Sequence, residues 1–356
     1  MGKTSGGVGV EGSKLQGVVA DGKCKPVGAI NEMTRLIDQE KVDIVMGVFS
    51  SAHCVPIAQQ MDARKKFMWA NVCVASAVLK DKKLQYVFRA QVHSDQFGEA
   101  SCTFLSENAK SKLGKDTKDL KVAVIYEDGP YGAGVASGNE SKCKALGMQM
   151  VLKEGYAATS PDLSSLITKL RRAQPDVILH TGYNPDITLF WRQAKEQGLK
   201  WSALIGHGAG YGQYDKLRET LGKDADYSYD VDPVAAQLLD PKTPKPGMGD
   251  ITQEMIKRYT AEIKDRKVDE IPPHVSMGFN QSWILFTDVV PRAIKKYGGI
   301  DSEALLKAAL DVDIPEGGTM LGFGVTFEGE GQPMAGQNDR AFPARIPCGS
   351  DKPHVL

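Results

Sequence analysis

Short apolar runs alternate with amphipathic stretches along most of this chain. Runs at 42–48, 121–126 and 176–181 are typical of buried strands. Amphipathic helices are predicted at 30–37, 132–146 and 187–197. Because strands that alternate with helices form parallel sheets covered by helices on both faces, the pattern predicts an α/β fold.

The remaining segments carry weaker signals. Residues 15–20 indicate a short strand, and the proline- and glycine-rich stretch 239–249 indicates a surface loop. Helical spacing continues at 252–264, 275–297 and 302–310. The tail from Pro343 has no periodicity, so we expect it to be irregular.

Composition narrows the classes of partner. A chain of 356 residues exceeds one ordinary core, which favours two domains. Its 44 basic and 44 acidic residues balance, so it has no basic footprint for nucleic acid or for an anionic membrane. No apolar run approaches the roughly 18 to 20 residues of a membrane span. We therefore expect neither nucleic-acid binding nor direct membrane insertion.

The start of the chain offers an alternative of another class. Residues 7–12 spell GVGVEG, which matches the dinucleotide fingerprint G-x-G-x-x-G of nucleotide-dependent oxidoreductases. That fingerprint works only when a buried strand leads into the glycines and a helix follows them. Only MGKTSG precedes this motif, so a glycine-rich turn is the favoured interpretation. No nucleotide cofactor, metal site or catalytic residue is expected.

The loops after the predicted strands are the natural place for a ligand. In open α/β sheets the ligand lies beyond the carboxyl ends of the strands. Here those loops consist mainly of small, hydroxylated and aromatic residues with few charges, which suits a small organic ligand. They lie at 49–53, 71–76, 127–132, 182–186 and 206–211.

These loops and their flanking segments resemble a known family. The matching stretches include DIVMGVFSS, FMWANVCVASAVL, VAVIYEDGPYGAG and GHGAGYG, and the ordered set extends from about Val19 to Arg340. The chain is similar to the type I periplasmic binding proteins of ABC importers, in the branch of the leucine/isoleucine/valine and amide binding proteins. Within that branch it looks like the proteins that take up aromatic carboxylates.

The resemblance implies two Rossmann-like lobes with parallel sheets, joined by three chain crossings and closing on a ligand in the cleft between them. One lobe would comprise residues 1–93 with 232–316, and the other 94–231 with 317–356. It also implies a monomeric, non-enzymatic protein of the periplasm that delivers its ligand to permease subunits. The family's leading strand, pocket loop and helix before the glycine-rich turn are not matched here.

The resemblance also implies where a ligand carboxylate binds. Hydroxyls and amides of two loops would donate to it, with Ser50, Ser51 and Ser76 as donors and Cys73, Val74 and Ala75 beside them. The dipole of the helix that is predicted to run from Val55 would favour an anion. The alternative is that Ser50 and Ser51 only cap this helix, whose first turn holds Pro56.

The second half of the site follows from the same resemblance. Tyr131 and Tyr183, with Asn184 next to it, stand where the family stacks aromatic residues on its ligand. In amino acid binders the loop at 206–210 supplies an acid for the ligand ammonium, and here this loop has none. A carboxylate without an α-amino group is therefore favoured, such as a benzoate or phenylpropanoid. His207 and His274 would bind a ring hydroxyl or a second polar group, unless they are structural.

Two further alternatives stay open. A branched-chain amino acid or an amide is the alternative ligand within the same family. The six cysteines allow Cys54 to pair with Cys73 and Cys102 with Cys143, since each pair flanks neighbouring elements, but buried thiols would fit the spacing equally well.

Overall fold

A computed structural model describes residues 14–225, 228–240, 242–263, 271–341 and 344–347, with the backbone alone for Tyr214, Asp215 and 344–347. The chain forms two compact units. Unit 1 comprises 1–92, 241–251 and 277–341, and unit 2 comprises 93–240, 252–276 and 342–356. Residues 93, 232–240, 252–276 and 317–341 therefore group differently from the division expected from the sequence. The GVGVEG motif lies outside the described residues.

Unit 1 is built on a three-stranded parallel sheet in the order β1-β2-β3. The strands are short because their ladders involve only two residues each. Its elements are α1 (Pro26–Asp38), β1 (Val45–Met46), α2 (Ser51–Ala63), β2 (Met68–Trp69), β3 (Val87–Phe88), α10 (Val290–Tyr297) and α11 (Ser302–Leu310). Residues 15–20, which were predicted as a strand, form none, because no described strand pairs with them.

The core of unit 1 lies between the sheet and its helices. Met33 and Ile37 of α1 pack with Ile57 and Met61 of α2 against Met68 of β2. On the other side, Trp69 donates from Nε1 to the backbone carbonyl of Gln281 at 3.0 Å. Both faces of the sheet are thus covered, as expected for parallel strands.

Unit 2 is built on a six-stranded sheet in the order β5-β4-β6-β7-β8-β9. The first five strands are parallel and β9 is antiparallel to β8. Its elements are α3 (Ser94–Asn108), β4 (Lys121–Glu127), α4 (Pro130–Ala145), β5 (Gln149–Tyr156), α5 (Ser164–Ala173), β6 (Val177–Thr181), α6 (Asn184–Glu196), β7 (Ala203–His207), α7 (Tyr214–Leu221), β8 (Ser228–Asp232) and β9 (Ala344–Pro347). Helices α8 (Met248–Ile263) and α9 (Pro273–Ile284) contribute residues to both units.

The expectation that the tail is irregular was wrong for β9. Its residues are in register with 229–232 of β8, so pairing with an existing edge supplies the order that its own sequence does not signal. The predicted helix at 275–297 is also divided, because a π-helical turn at Leu285–Val289 separates α9 from α10.

Helices α3 and α4 lie unusually close together. A Cβ on Gly138 of α4 would stand 2.3 Å from the carbonyl oxygen of Asp95, so only glycine permits this approach. A disulfide between Cys102 and Cys143 joins the same two helices, with the Cα atoms 5.2 Å apart. This confirms one of the two cysteine pairings that the sequence left open.

Candidate functional site

The first candidate loop of unit 1 follows β1. Gly47 and Val48 both have positive φ, 106° and 65°, and the amide of Gly47 donates to Asn71 Oδ1 at 2.7 Å. A β-branched residue such as Val48 adopts this backbone conformation only at a cost of about 1 to 3 kcal/mol. Strain of that size is typical of functional loops. The turn at Gly47 and Val48 leads the backbone into Ser50 and the start of α2.

The two serines of this loop have different surroundings. Ser50 is the N-cap of α2, is half-buried and makes no side-chain capping bond. Ser51 is 2% exposed, and its hydroxyl oxygen accepts from the amide of Ala75 at 3.2 Å. Neither serine side chain therefore caps α2, so the alternative that both serve only as helix caps does not hold. Ser50 also borders a cavity of about 500 Å³ beside β1, whose lining includes Val18, Met33, Val48 and His53.

The second loop of unit 1 is fixed to the first by a disulfide. Cys54 of α2 is bonded to Cys73, with the Cα atoms 6.4 Å apart, which confirms the other cysteine pairing. Val74 and Ala75 lead into a 3₁₀ turn at Ser76–Val78, and Ser76 is 3% exposed. The structure thus brings the six predicted residues of unit 1 together around the start of α2.

A buried arginine that no sequence pattern indicates supports this second loop. Arg89 is fully buried, and its Nη1 donates to the carbonyl of Ala75 at 2.8 Å and to that of Cys73 at 3.4 Å. Its Nε donates to Gln337 Oε1 at 2.7 Å. The guanidinium therefore holds the backbone of the loop in one conformation.

In unit 2 the carboxyl ends of four neighbouring strands meet at one edge of the sheet. Tyr131, in the first turn of α4, and Tyr183, the N-cap of α6, lie there with ring centroids 5.7 Å apart. The hydroxyl of Tyr131 donates to the carbonyl of His207 at the end of β7. Asn184 opens α6 beside Tyr183 and is half-buried. The aromatic pair is thus presented at the edge where a ligand is expected.

The two histidines that the sequence singled out are both shielded from solvent, and His207 is also hydrogen-bonded within the protein. His207 is fully buried: its Nε2 is 3.1 Å from Ser101 Oγ, and its Nδ1 is 3.0 Å from Thr181 Oγ1. Burial lowers the pKa of His207 to about 4, so its ring is neutral at pH 7. His274, near the start of α9, is also largely buried, and burial lowers its pKa. A neutral His207 with both nitrogens engaged is typical of a structural residue.

A chain of hydrogen bonds anchors the loop that carries Tyr183. Asp186 accepts from the amide of Tyr183 at 3.0 Å and from the hydroxyl of Tyr156 at 2.6 Å. That hydroxyl also lies 2.7 Å from Nε2 of His180, whose Nδ1 is 2.8 Å from the hydroxyl of Tyr211. Burial raises the pKa of Asp186 to about 6. This network preorganises the aromatic edge.

Two acids at the same edge were missed by the sequence analysis. Asp230 and Asp232 lie two residues apart on β8, so their side chains are on the same face of the strand. They are 0% and 2% exposed. Both oxygens of Asp230 and Oδ2 of Asp232 have no hydrogen-bond donor within the described part of the chain. A Cβ on Gly212 would lie 2.2 Å from Asp232 Oδ2 and 3.4 Å from Asp230 Oδ2, so the two carboxyl groups lie under one loop. The sequence signal that could have indicated these two acids is the spacing D-x-D at the end of a strand.

Other features of the described residues bear on function. No group of three or more His, Cys, Asp or Glu side chains is arranged to hold a metal ion in the ranges that the structure describes. Among the same residues, no helix is both long and apolar enough to cross a membrane.

Comparison with known proteins decides the family. Residues 3–337 match the family model described as "Periplasmic binding protein". The chain belongs to this family. A curated relative, Leu/Ile/Val-binding protein homolog 7 of Brucella suis biovar 1 (strain 1330), is 34% identical over 334 residues, which cover 94% of this periplasmic binding protein and 78% of the relative. The family is one of solute-binding proteins and not of enzymes.

Solved structures share the fold of this periplasmic binding protein. The solute-binding protein of an ABC transporter from R. palustris in complex with benzoate has a TM-score of 0.75 and 16% identity, over 99% of this chain and 87% of that one. LivJ from Streptococcus pneumoniae, in complex with isoleucine, has a TM-score of 0.73 and 17% identity, over 99% and 90%. These neighbours confirm the α/β class with parallel sheets and a two-lobe periplasmic binding fold.

Proposed function

We propose that this chain is the monomeric, periplasmic substrate-binding component of an ABC importer and that its ligand is a small carboxylate with an aromatic body. The observation that carries the proposal is the arrangement around the start of α2. There Ser50, with no capping bond, stands at a helix N-terminus next to the disulfide-linked loop of Cys73–Ser76. Hydroxyls and a helix N-terminus together favour an anion.

The aromatic part of the proposal depends on unit 2. Tyr131 and Tyr183 form a pair of rings at the carboxyl edge of the sheet, with an interplanar angle of 51°. Such rings provide a large apolar contact area at a low cost in conformational entropy. A branched-chain amino acid is the second candidate, because Asp230 and Asp232 provide buried acids near the loop at 206–211.

A thermal-shift panel tests the proposed ligand class. It comprises benzoate, hydroxybenzoates, 3-phenylpropanoate, phenylalanine, leucine, a short amide and NAD. A ligand at 100 times its Kd stabilises the folded protein by about 2.7 kcal/mol, which raises Tm by a few degrees. We expect a shift with one or more carboxylates and none with NAD. A shift with NAD alone would contradict the proposal.

Replacement of Ser50 tests the anion site directly. The ligand for this test is the carboxylate that raises Tm in the panel. Ser50→Ala should reduce its binding free energy by about 1 to 3 kcal/mol, the range for a hydrogen bond to a charged group. The fold should be unaffected, because the hydroxyl makes no capping bond. Isothermal titration calorimetry measures the change, with Ser111→Ala on the exposed surface of unit 2 as the matched control. Equal affinity in Ser50→Ala and the control would show that Ser50 does not bind the carboxylate.

A further inference from the structure

Asp186 is a buried acid in the first turn of α6 that accepts two hydrogen bonds from neutral groups. Its Oδ1 accepts from the amide of Tyr183 at 3.0 Å, and its Oδ2 accepts from the hydroxyl of Tyr156 at 2.6 Å. A Cβ on Gly182 would stand 2.3 Å from Oδ2 and 2.6 Å from the tyrosine oxygen, so glycine leaves the space in which the carboxyl group lies. The acid therefore fixes the residue that carries one ring of the aromatic pair.

The groups around Asp186 determine when it is ionised. Burial raises its pKa to about 6, and the charge of Glu127 on β4 raises this pKa further. The hydroxyl of Tyr156 on β5 and the amides of Asp186 and Tyr183 lower it. Beyond Tyr156 lies His180 on β6, which is neutral because burial lowers its pKa to about 3. Asp186 therefore changes its charge near pH 6 in a group whose histidine stays neutral.

An ionised Asp186 fixes the direction of each hydrogen bond behind it. A carboxylate can only accept, so Tyr156 donates its one hydroxyl proton to Asp186. His180 Nε2, 2.7 Å from the same hydroxyl oxygen, must then be the donor in that pair. A neutral imidazole has one proton, so Nδ1 accepts from the hydroxyl of Tyr211, which follows β7 and lies 2.8 Å away. The ionised state thus requires the Nε2–H tautomer of His180.

A protonated Asp186 reverses the same chain of hydrogen bonds. Its Oδ2 donates to the oxygen of Tyr156, whose own proton then points to Nε2 of His180. The ring proton of His180 is on Nδ1 in this state and donates to Tyr211. In total one proton is taken up from solvent and resides on Asp186, while the tyrosines and the histidine keep the number that they had. The bond from the amide of Tyr183 weakens, because a charge-assisted hydrogen bond is roughly twice as strong as a neutral one.

We propose that Asp186 is a positioning residue for ligand binding, whose ionised carboxylate holds Tyr183 in place and sets the tautomer of His180 through Tyr156. The inference rests on the proposed function, since Tyr183 is one of the two rings assigned to the ligand. It adds regulation of the same site, because the ring is held firmly when Asp186 is ionised and less firmly once it is protonated. Ligand affinity therefore falls as the pH falls through the pKa of Asp186.

The tautomer of His180 is the most direct readout and requires no ligand. Nitrogen-15 NMR of the full chain, labelled at the histidine rings, distinguishes a protonated ring nitrogen from an unprotonated one, and His180→Gln identifies the signals. Spectra are recorded at about pH 8 and about pH 5, on either side of the pKa of Asp186. Wild type should carry the ring proton on Nε2 at the higher pH and on Nδ1 at the lower pH. Asp186→Asn should carry it on Nδ1 at both, because its amide donates to Tyr156 as the protonated acid does.

Tyr156→Phe provides a second variant for the same measurement. It removes the hydroxyl between Asp186 and His180, so the tautomer should no longer respond to pH. Asp224→Asn, at an exposed ion pair with Lys195, is the matched control and should behave as wild type. The proposed link between Asp186 and His180 would be wrong if wild type and Asp186→Asn had the same tautomer at the higher pH. A tautomer that still changed with pH in Tyr156→Phe would also overturn it.

Ligand affinity tests the positioning role separately. The probe is the carboxylate that gives the largest rise in Tm in the thermal-shift panel, titrated by calorimetry at the same two pH values. Lowering the pH should weaken its binding to wild type about 3- to 10-fold more than its binding to Asp186→Asn, a comparison that cancels the titration of the ligand and of other groups. An equal loss in the two proteins would overturn the positioning role and leave the proposed function intact. Absence of binding by every carboxylate of the panel would remove both.

Discussion

Arg89→Met is expected to lower the free energy of unfolding by about 3 to 5 kcal/mol. The substitution removes the donor to the carbonyl of Ala75 and the donor to Gln337 Oε1. Each buried acceptor left without a donor costs about 1 to 3 kcal/mol, and two acceptors lose their donor here, while methionine keeps most of the packed stem. Urea unfolding followed by circular dichroism measures the change.

The same variant should also bind carboxylates more weakly, since Arg89 holds the loop that contains Ser76. The matched control is Arg64→Met, which removes an arginine with an exposed ion pair to Asp38 in the same unit. Surface changes of this kind are usually within about 0.5 kcal/mol. If Arg89→Met were destabilised no more than Arg64→Met, the supporting role assigned to the buried guanidinium would be wrong.

Removal of the disulfide in unit 1 has the second large expected effect. The double variant Cys54→Ala, Cys73→Ala should lose about 3 kcal/mol of stability, because the bond closes a loop across 19 residues and restricts the unfolded chain. Since the bond also joins α2 to the loop that ends at Ser76, ligand affinity should fall as well. Thermal unfolding and calorimetry on the purified variant measure both quantities.

Alanine is chosen because both sulfur atoms are buried in the core of unit 1, where a serine hydroxyl would add a separate cost. Cys24→Ala serves as control, since Cys24 is an exposed free thiol. Equal stability of the double variant and this control would show that the cross-link does not stabilise the protein.

The elements with strong periodicity could be predicted from the sequence. The strand at 121–126 and the helix at 302–310 agree with the structure, because local spacing determines them. The two cysteine pairings that the sequence allowed are also present, but the spacing alone did not distinguish them from buried thiols. Strand β9 could not be predicted, since its order comes from pairing with β8. Residues 15–20 show the converse, because a suitable pattern forms no strand when no ladder is available to it.

In the candidate site, too, local patterns predicted some residues, whereas contacts between distant residues determine the others. The position of Ser50 at a strand's carboxyl end followed from the alternation of elements. The roles of Arg89 and Asp232 could not follow, because the contacts that define them join residues distant in sequence: Arg89 meets Gln337, and Asp232 lies under Gly212. Sequence patterns indicate which residues are buried, but not which buried charge is left without a partner.

The requirement for a ligand carboxylate is the central claim, and matched acids and amides test it most directly. Calorimetric titration of wild type would compare benzoate with benzamide, 3-phenylpropanoate with its primary amide, phenylalanine with phenylalaninamide, and leucine with leucinamide. The account predicts that at least one acid binds with one ligand per chain and that its amide binds at least about 10-fold more weakly. An amide that binds as tightly as its acid, or the absence of binding by all four acids, would contradict the account.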